Sequence, residues 1–127
     1  MKLLLDACTF LWIVGGDRVS EAAAAAYRDP ANEVYLSAAS VWEITIKHQS
    51  GRLPLPEPPD TLIPAERRLR GIAHLPIDED AVYQLPKLPQ LHRDPFDRIL
   101  VCQAIAGSLA ILTPDPLIRQ YPVRVIW

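Results

Sequence analysis

The chain opens on Leu3-Leu4-Leu5, a short unbroken apolar run that predicts a strand buried on both faces. Asp6 ends it, and Phe10 to Val14 predicts a short buried helix closed by Gly15-Gly16. Ser20 is a suitable N-cap for an alanine-rich helix from Ala22 to Arg28, which Asp29-Pro30 stops. Glu33 to Ser37 reads as a second strand. Ser37 or Ser40 then starts the helix A-A-S-V-W-E-I-T-I-K-H-Q-S, terminated by Gly51. Pro54, Pro56, Pro58 and Pro59 form a rigid connector. Asp60 to Arg70 is helical in parts, with Pro64 expected to limit or kink it.

Gly71 precedes I-A-H-L-P-I, a third strand, and Asp78 to Leu85 predicts another helix. Pro86 and Pro89 bracket a loop leading to His92. A helix from Asp97 to Gly107 follows, then a strand from Leu109 to Thr113. Asp115-Pro116 starts one more helical turn, and Val123 to Trp127 closes as a strand. Helices alternating with short apolar strands in this way predict an α/β fold, a mostly parallel sheet with helices on both faces.

Composition narrows this picture. A chain of 127 residues, 50% apolar and 22% charged, fits one globular domain over residues 1–127 that needs no staples. The net charge of −2 supplies no global field for nucleic acid, so any polyanion site must be a local cluster of Arg and Lys. Cys8 and Cys102 both lie in apolar runs and are expected as buried free thiols. The opening M-K-L-L-L-D is broken too early for a signal peptide or a membrane span, which makes a cytoplasmic protein the expectation.

Ligands of open parallel sheets bind beyond the carboxyl ends of the strands. Asp6 follows the first strand and Asp115 the fourth. Glu43 lies one turn into the helix after the second strand, and Asp94 and Asp97 open the helix that leads into the fourth. Acids delivered to one edge by four segments would repel one another unless a hard, oxygen-seeking cation such as Mg²⁺ or Mn²⁺ neutralised them. Each acid also has a purely structural explanation. Asp94-Pro95 and Asp115-Pro116 are N-cap and proline pairs, and Asp97 would suit the dipole of a first helical turn. Glu43 could pair with Lys47 one turn on. Asp6 could cap the next helix, although a carboxylate there would be largely buried and would need a partner.

Other chemistries fit less well. His48, His74 and His92 lack zinc-site spacing. There is no phosphate-cradling glycine loop and no G-x-S-x-G elbow. Trp12, Trp42 and Trp127 are expected in the core. Lys47, Arg52, Arg93, Arg98 and Arg119 fall near the acidic segments. An acid cluster ringed by bases suits metal-assisted attack on a phosphodiester, with the bases holding flanking phosphates.

The strings L3-L-L-D6, S37-A-A-S-V-W-E-I-T-I-K47 with G51-R-L-P-L55, L91-H-R-D-P-F-D-R-I-L-V-C-Q-A104 and L112-T-P-D115 resemble PIN-domain proteins. Among these they are most similar to the VapC-type toxins of toxin–antitoxin pairs. The resemblance covers essentially the whole chain and implies a three-layer α/β/α domain with a Mg²⁺- or Mn²⁺-dependent endoribonuclease activity. It implies a catalytic and metal-binding quartet of Asp6, Glu43, Asp97 and Asp115, with Asp94 as an additional acid that caps the helix or tunes the metal. It also implies an RNA substrate, a homodimer and a cognate antitoxin, with Lys47, Arg52, Arg93 and Arg98 as candidates for contacting RNA or antitoxin. Two departures stand out. Ala7 replaces the Thr or Ser that often follows the first Asp, so hydroxyl support would fall to Thr9 or Thr113. Asp80-Ala81 stands where many relatives carry His-Ala.

Two alternatives belong to other classes. A phospho-receiver domain has similar length and alternation but needs an acidic pair after the first strand and a Lys after the last, and neither is present. A PIN fold acting only as a binding module would keep the architecture without the reaction.

Overall fold

The computed structural model describes residues 1–91 and 93–127. His92, expected not to be a zinc ligand, lies outside the described residues. In chain order the elements are β1 (Lys2–Leu5), α1 (Ala7–Gly15), α2 (Glu21–Arg28), β2 (Glu33–Ser37), α3 (Ala38–Gln49) and α4 (Pro59–Arg70). They continue with β3 (Ile72–Leu75), α5 (Glu79–Val82), α6 (Pro95–Gly107), β4 (Ala110–Leu112) and β5 (Val125–Ile126). Short 3₁₀ turns occupy Leu85–Lys87 and Ile118–Gln120.

The five strands form one sheet in the order β3-β2-β1-β4-β5, and every described pairing is parallel. Leu3, Leu4 and Leu5 are all fully buried because β1 is central and covered on both faces. Leu3 and Leu5 point with Val34, Leu36 and Leu112 into a layer holding Phe10, Ala23 and Ile63 of α1, α2 and α4. Leu4 and Ile111 point the other way, onto Leu100, Val101 and Ala104 of α6 and Ala81 of α5. The fold is therefore three-layered, α/β/α. The chain moves outward from β1 to β2 and β3, then returns past β1 to β4. This reversal opens a crevice at the carboxyl ends of β1 and β4, where open α/β sheets place their ligands.

Several local expectations change. Pro64 does not break α4, which runs through it to Arg70. The ring costs one bond, to the Asp60 carbonyl, and Asp60 is exposed to solvent that can satisfy it. The helix expected from Asp78 to Leu85 is cut to α5 plus a 3₁₀ turn, since Pro86 lacks the N–H that would continue an α-helix onto Val82. The turn expected after Asp115 is a loop leading to the 3₁₀ turn at Ile118–Gln120. No helix among the described residues is long and apolar enough to cross a membrane.

Candidate active site

Asp6 sits where β1 meets α1 and is only 7% exposed. Its Oδ1 accepts the Thr9 backbone N–H at 2.7 Å, which caps α1, and its Oδ2 accepts the Thr113 hydroxyl at 2.5 Å. The Thr9 hydroxyl donates to the Leu112 carbonyl at 2.9 Å. Thr9 and Thr113 thus stitch the ends of β1 and β4 together across the crevice and hold both Asp6 oxygens. The structure finds the buried Asp6 its expected partner, and the partner comes from the neighbouring strand.

Glu43 is placed by α3. Ser37 ends β2 and caps α3, its hydroxyl accepting the Ala39 N–H at 3.0 Å and donating to Gln103 Oε1 at 2.5 Å. Gln103 Nε2 donates to the Pro76 carbonyl at 3.1 Å, so this junction is tied to α6 and to the segment after β3. Ser37 and Gln103 were missed as positioning residues. The available signal was Gln103 itself, an amide inside the apolar run I-L-V-C-Q-A-I-A. Glu43 is 9% exposed and accepts from Lys47 Nζ at 2.6 Å. The hydrogen bond to Glu43, helped by the Asp94 charge, holds the Lys47 ammonium above its ordinary value.

Asp94 is the N-cap of α6, its Oδ1 accepting from Phe96 N at 2.9 Å and Asp97 N at 3.4 Å, with Pro95 at the first helical position. Asp97 stands in the first turn, half-buried. Asp115 follows β4, its N–H donating to Thr113 Oγ1 at 3.1 Å and its Oδ1 accepting from Leu117 N at 2.9 Å.

The acids of these segments lie near enough to act on one another's charge. The Asp97 carboxyl is pushed up to about 8, first by burial and then by the charges of Asp94, Glu43, Asp115 and Asp6. Cys8, exposed rather than buried as expected, is pushed up to about 11 by desolvation of its inner side and then by Asp6. Glu43 and Lys47 also act on that thiol. The carboxylates therefore share one field, yet among the described residues no three such side chains stand close enough to chelate one ion. Glu43 is turned onto Lys47, and Asp115 onto a backbone N–H. By chemistry the donor set fits a hard divalent cation, being all oxygen and all anionic. Filling it would place the ion in competition with Lys47 for the Glu43 carboxylate, of which Lys47 holds Oε2.

The bases divide. Lys47 faces the acids, and Arg52, whose Nε donates to Ser50 Oγ at 3.0 Å, lies close enough to act on Lys47. Arg93 is exposed beside the α6 cap. Arg98, a candidate contact for RNA or antitoxin, is engaged within the chain. Its guanidinium donates to the Pro89 carbonyl at 3.1 Å, the Tyr121 hydroxyl at 3.3 Å and the Leu85 carbonyl at 3.5 Å, pinning the loops around α6. Trp42 also departs from expectation. The buried side of α3 carries Ala39, Ser40, Glu43 and Ile44, which leaves Trp42 off that stripe and 59% exposed. It meets Phe96 edge-to-face at 5.1 Å. Trp12 and Trp127 do pack together, at 5.7 Å, against the core. A groove of about 680 Å³ between α3 and α4, lined by Val41, Ile63, Pro64, Arg67 and His74 among others, includes none of the quartet.

Known proteins resemble the chain at three levels. It is 40% identical over 65 residues to Ribonuclease VapC16 of Mycobacterium tuberculosis, a stretch that is 51% of this chain and 45% of that protein. The match thus spans about half the length of that curated relative. The VapBC2 complex of Rickettsia felis bound to a promoter DNA fragment contains a chain that superposes with a TM-score of 0.74 at 12% identity, covering 98% of this chain and 97% of that one. DNA-bound VapBC from Salmonella typhimurium gives 0.68 at 14% identity, covering 98% and 96%. At such identities these two likenesses bear on the fold alone. The PIN domain family itself matches residues 3–123, from the first buried strand past the segment that carries Asp115. A family match of that extent, on an all-parallel sheet whose crevice gathers the acids of four segments, means that the chain belongs to the PIN domain family.

Proposed function

We propose that this chain is a VapC-type toxin, a Mg²⁺- or Mn²⁺-dependent endoribonuclease that hydrolyses RNA phosphodiester bonds and is silenced by a cognate antitoxin. The observation that carries the reading is that Asp6, Glu43, Asp94 and Asp115 lie near enough to the half-buried Asp97 for their charges to add to burial in pushing its carboxyl up. A fold gains nothing from concentrating negative charge around a half-buried carboxylate, whereas a cation site requires it. The related ribonuclease and the toxin–antitoxin complexes of similar fold support the same direction. A single PIN domain over residues 1–127, acting as a homodimer in the cytoplasm, completes the proposal.

Asp6, Glu43, Asp97 and Asp115 would hold the ion, which when bound lowers the pKa of water and offsets charge on the phosphoryl oxygens. Asp6 is the rigid member, since Thr9 and Thr113 fix both of its oxygens before any ligand arrives. Asp97 must surrender a proton to serve as a ligand, so binding of the ion should release protons and strengthen as the pH rises from 5. Lys47, once released from Glu43, has the reach and charge to hold a phosphate. Arg52, which acts on Lys47, and the exposed Arg93 would serve flanking phosphates, and Asp94 would act by starting α6 so that Asp97 faces the site.

The test is purified protein incubated with RNA in Mg²⁺, then in EDTA, alongside Asp6→Asn and Asp97→Asn. Mg²⁺-dependent cleavage lost in both variants supports the reading, and cleavage unchanged in both refutes it. The closed Glu43–Lys47 contact is the observation that favours a non-catalytic binding module instead. That reading predicts no cleavage and no Mn²⁺-dependent stabilisation. The receiver-domain alternative is dropped, because the family match assigns the chain elsewhere.

A further inference from the structure

Trp42 is an indole that folding does not bury. At 59% exposed it lies outside the stripe of α3 that packs inward, yet it is not loose, because its ring meets Phe96 at 5.1 Å and 86°. Phe96 lies between Asp94 and Asp97 in the first turn of α6, and Trp42 itself precedes Glu43. The aromatic pair therefore bridges the two helices that bring Glu43 and Asp97 to the site, with Lys47 one turn further along α3. An edge-to-face contact fixes the orientation of a ring while leaving much of its surface to solvent.

The charge balance gives this ring a task. The chain carries a net charge of −2 and gathers five acids at the site, and Arg98, one of its few nearby bases, is occupied by carbonyls. Lys47, Arg52 and Arg93 are the bases left for phosphate, and the acids must first be offset by a cation. Single-stranded nucleic acids are commonly held by stacking exposed bases on aromatic rings, an interaction that needs no positive field.

We propose that Trp42, held by Phe96, is a stacking platform for an unpaired base of the RNA, seating a nucleotide that flanks the scissile phosphate. This rests on the ribonuclease reading and deepens it to a single-stranded substrate. Trp42 is then a specificity-determining residue: a base inside a duplex, already stacked on its neighbours, cannot use the platform.

The experiment compares wild type, Trp42→Ala and Trp42→Tyr, each first checked for an unchanged melting temperature. A single-stranded RNA oligomer is cleaved under steady-state conditions, next to the same oligomer with one abasic position moved along its length. Trp42→Ala should raise KM at least about fivefold with kcat nearly unchanged, and Trp42→Tyr should recover most of the loss. Wild type should lose a similar factor at one abasic position, and Trp42→Ala should be indifferent to that position. If wild type cleaves RNA but Trp42→Ala has the same KM and the same abasic profile, the platform is wrong and the ribonuclease reading stands. If wild type cleaves no RNA, both fall. If Trp42→Ala instead dissociates a dimer in sedimentation without altering KM, the ring belongs to a protein contact and the proposal is overturned.

Discussion

Replacing Asp97 by Asn should make the metal-free protein more stable at neutral pH. In the folded chain this carboxyl keeps its proton to about 8, whereas in the unfolded chain it ionises near its ordinary 3.8. Between those values the folded state holds a proton that the unfolded state has released, so raising the pH favours unfolding. Each pH unit across that window costs about 1.4 kcal/mol for a fully buried group. From pH 5 to pH 7.5 this amounts to about 3.4 kcal/mol, and because Asp97 is only half-buried we halve it for solvent screening, to roughly 1.7 kcal/mol. Asn, a neutral isostere, escapes the penalty. In a chain of this size that difference corresponds to a rise of roughly 5–7 °C in Tm. The assay is thermal and urea denaturation of wild type and Asp97→Asn in EDTA at pH 5 and pH 7.5. The variant should already lead wild type at pH 5, which lies above 3.8, and its lead should widen at pH 7.5. Parallel pH curves, or a variant less stable at pH 7.5, would show that Asp97 does not sit in the shared field of the other acids.

Other expectations concern the partners of the site. Thr113→Val removes the hydroxyl bonded to the buried Asp6 and should cost about 2 kcal/mol in urea denaturation, while Thr113→Ser should keep nearly all of it. A loss in Thr113→Ser larger than that in Thr113→Val would mean that the methyl group, not the hydroxyl, matters. Lys47→Met frees Glu43 from a pair worth only about 0.5 kcal/mol and also removes a positive charge, so Mn²⁺ should bind at least about twofold more tightly. RNA cleavage by the same variant should fall, because the phosphate contact is lost. Weaker Mn²⁺ binding would show that Lys47 does not compete with the ion.

The sheet was legible because its central strand is an unbroken apolar run and its helices start with recognisable caps. Leu3 to Leu5 could only be buried on both faces, and Ser20 caps a helix as its sequence context suggests. The acids stood out as charged groups at element boundaries. The family resemblance separated Asp97 from Asp94 in the sequence, and the structure shows Asp94 as the N-cap of α6. What remained hidden depended on direction and distance. Trp42 and Cys8 are apolar or thiol groups in apolar company, yet helix rotation turns them outward. Arg98 looked like a phosphate contact because its partners are distant in sequence: carbonyls 9 and 13 residues upstream and the Tyr121 hydroxyl 23 residues downstream. The Ser37–Gln103 link joins residues 66 apart, a pairing that no local pattern encodes.

The central claim is that four segments bring their acids to one cation site. It is tested most directly by calorimetric titration of Mn²⁺ into wild type and into Asp6→Asn, Glu43→Gln, Asp97→Asn and Asp115→Asn. The account predicts saturable binding to wild type that weakens at least about tenfold in each variant. Absence of saturable binding to wild type, or binding that all four variants leave unchanged, would contradict it.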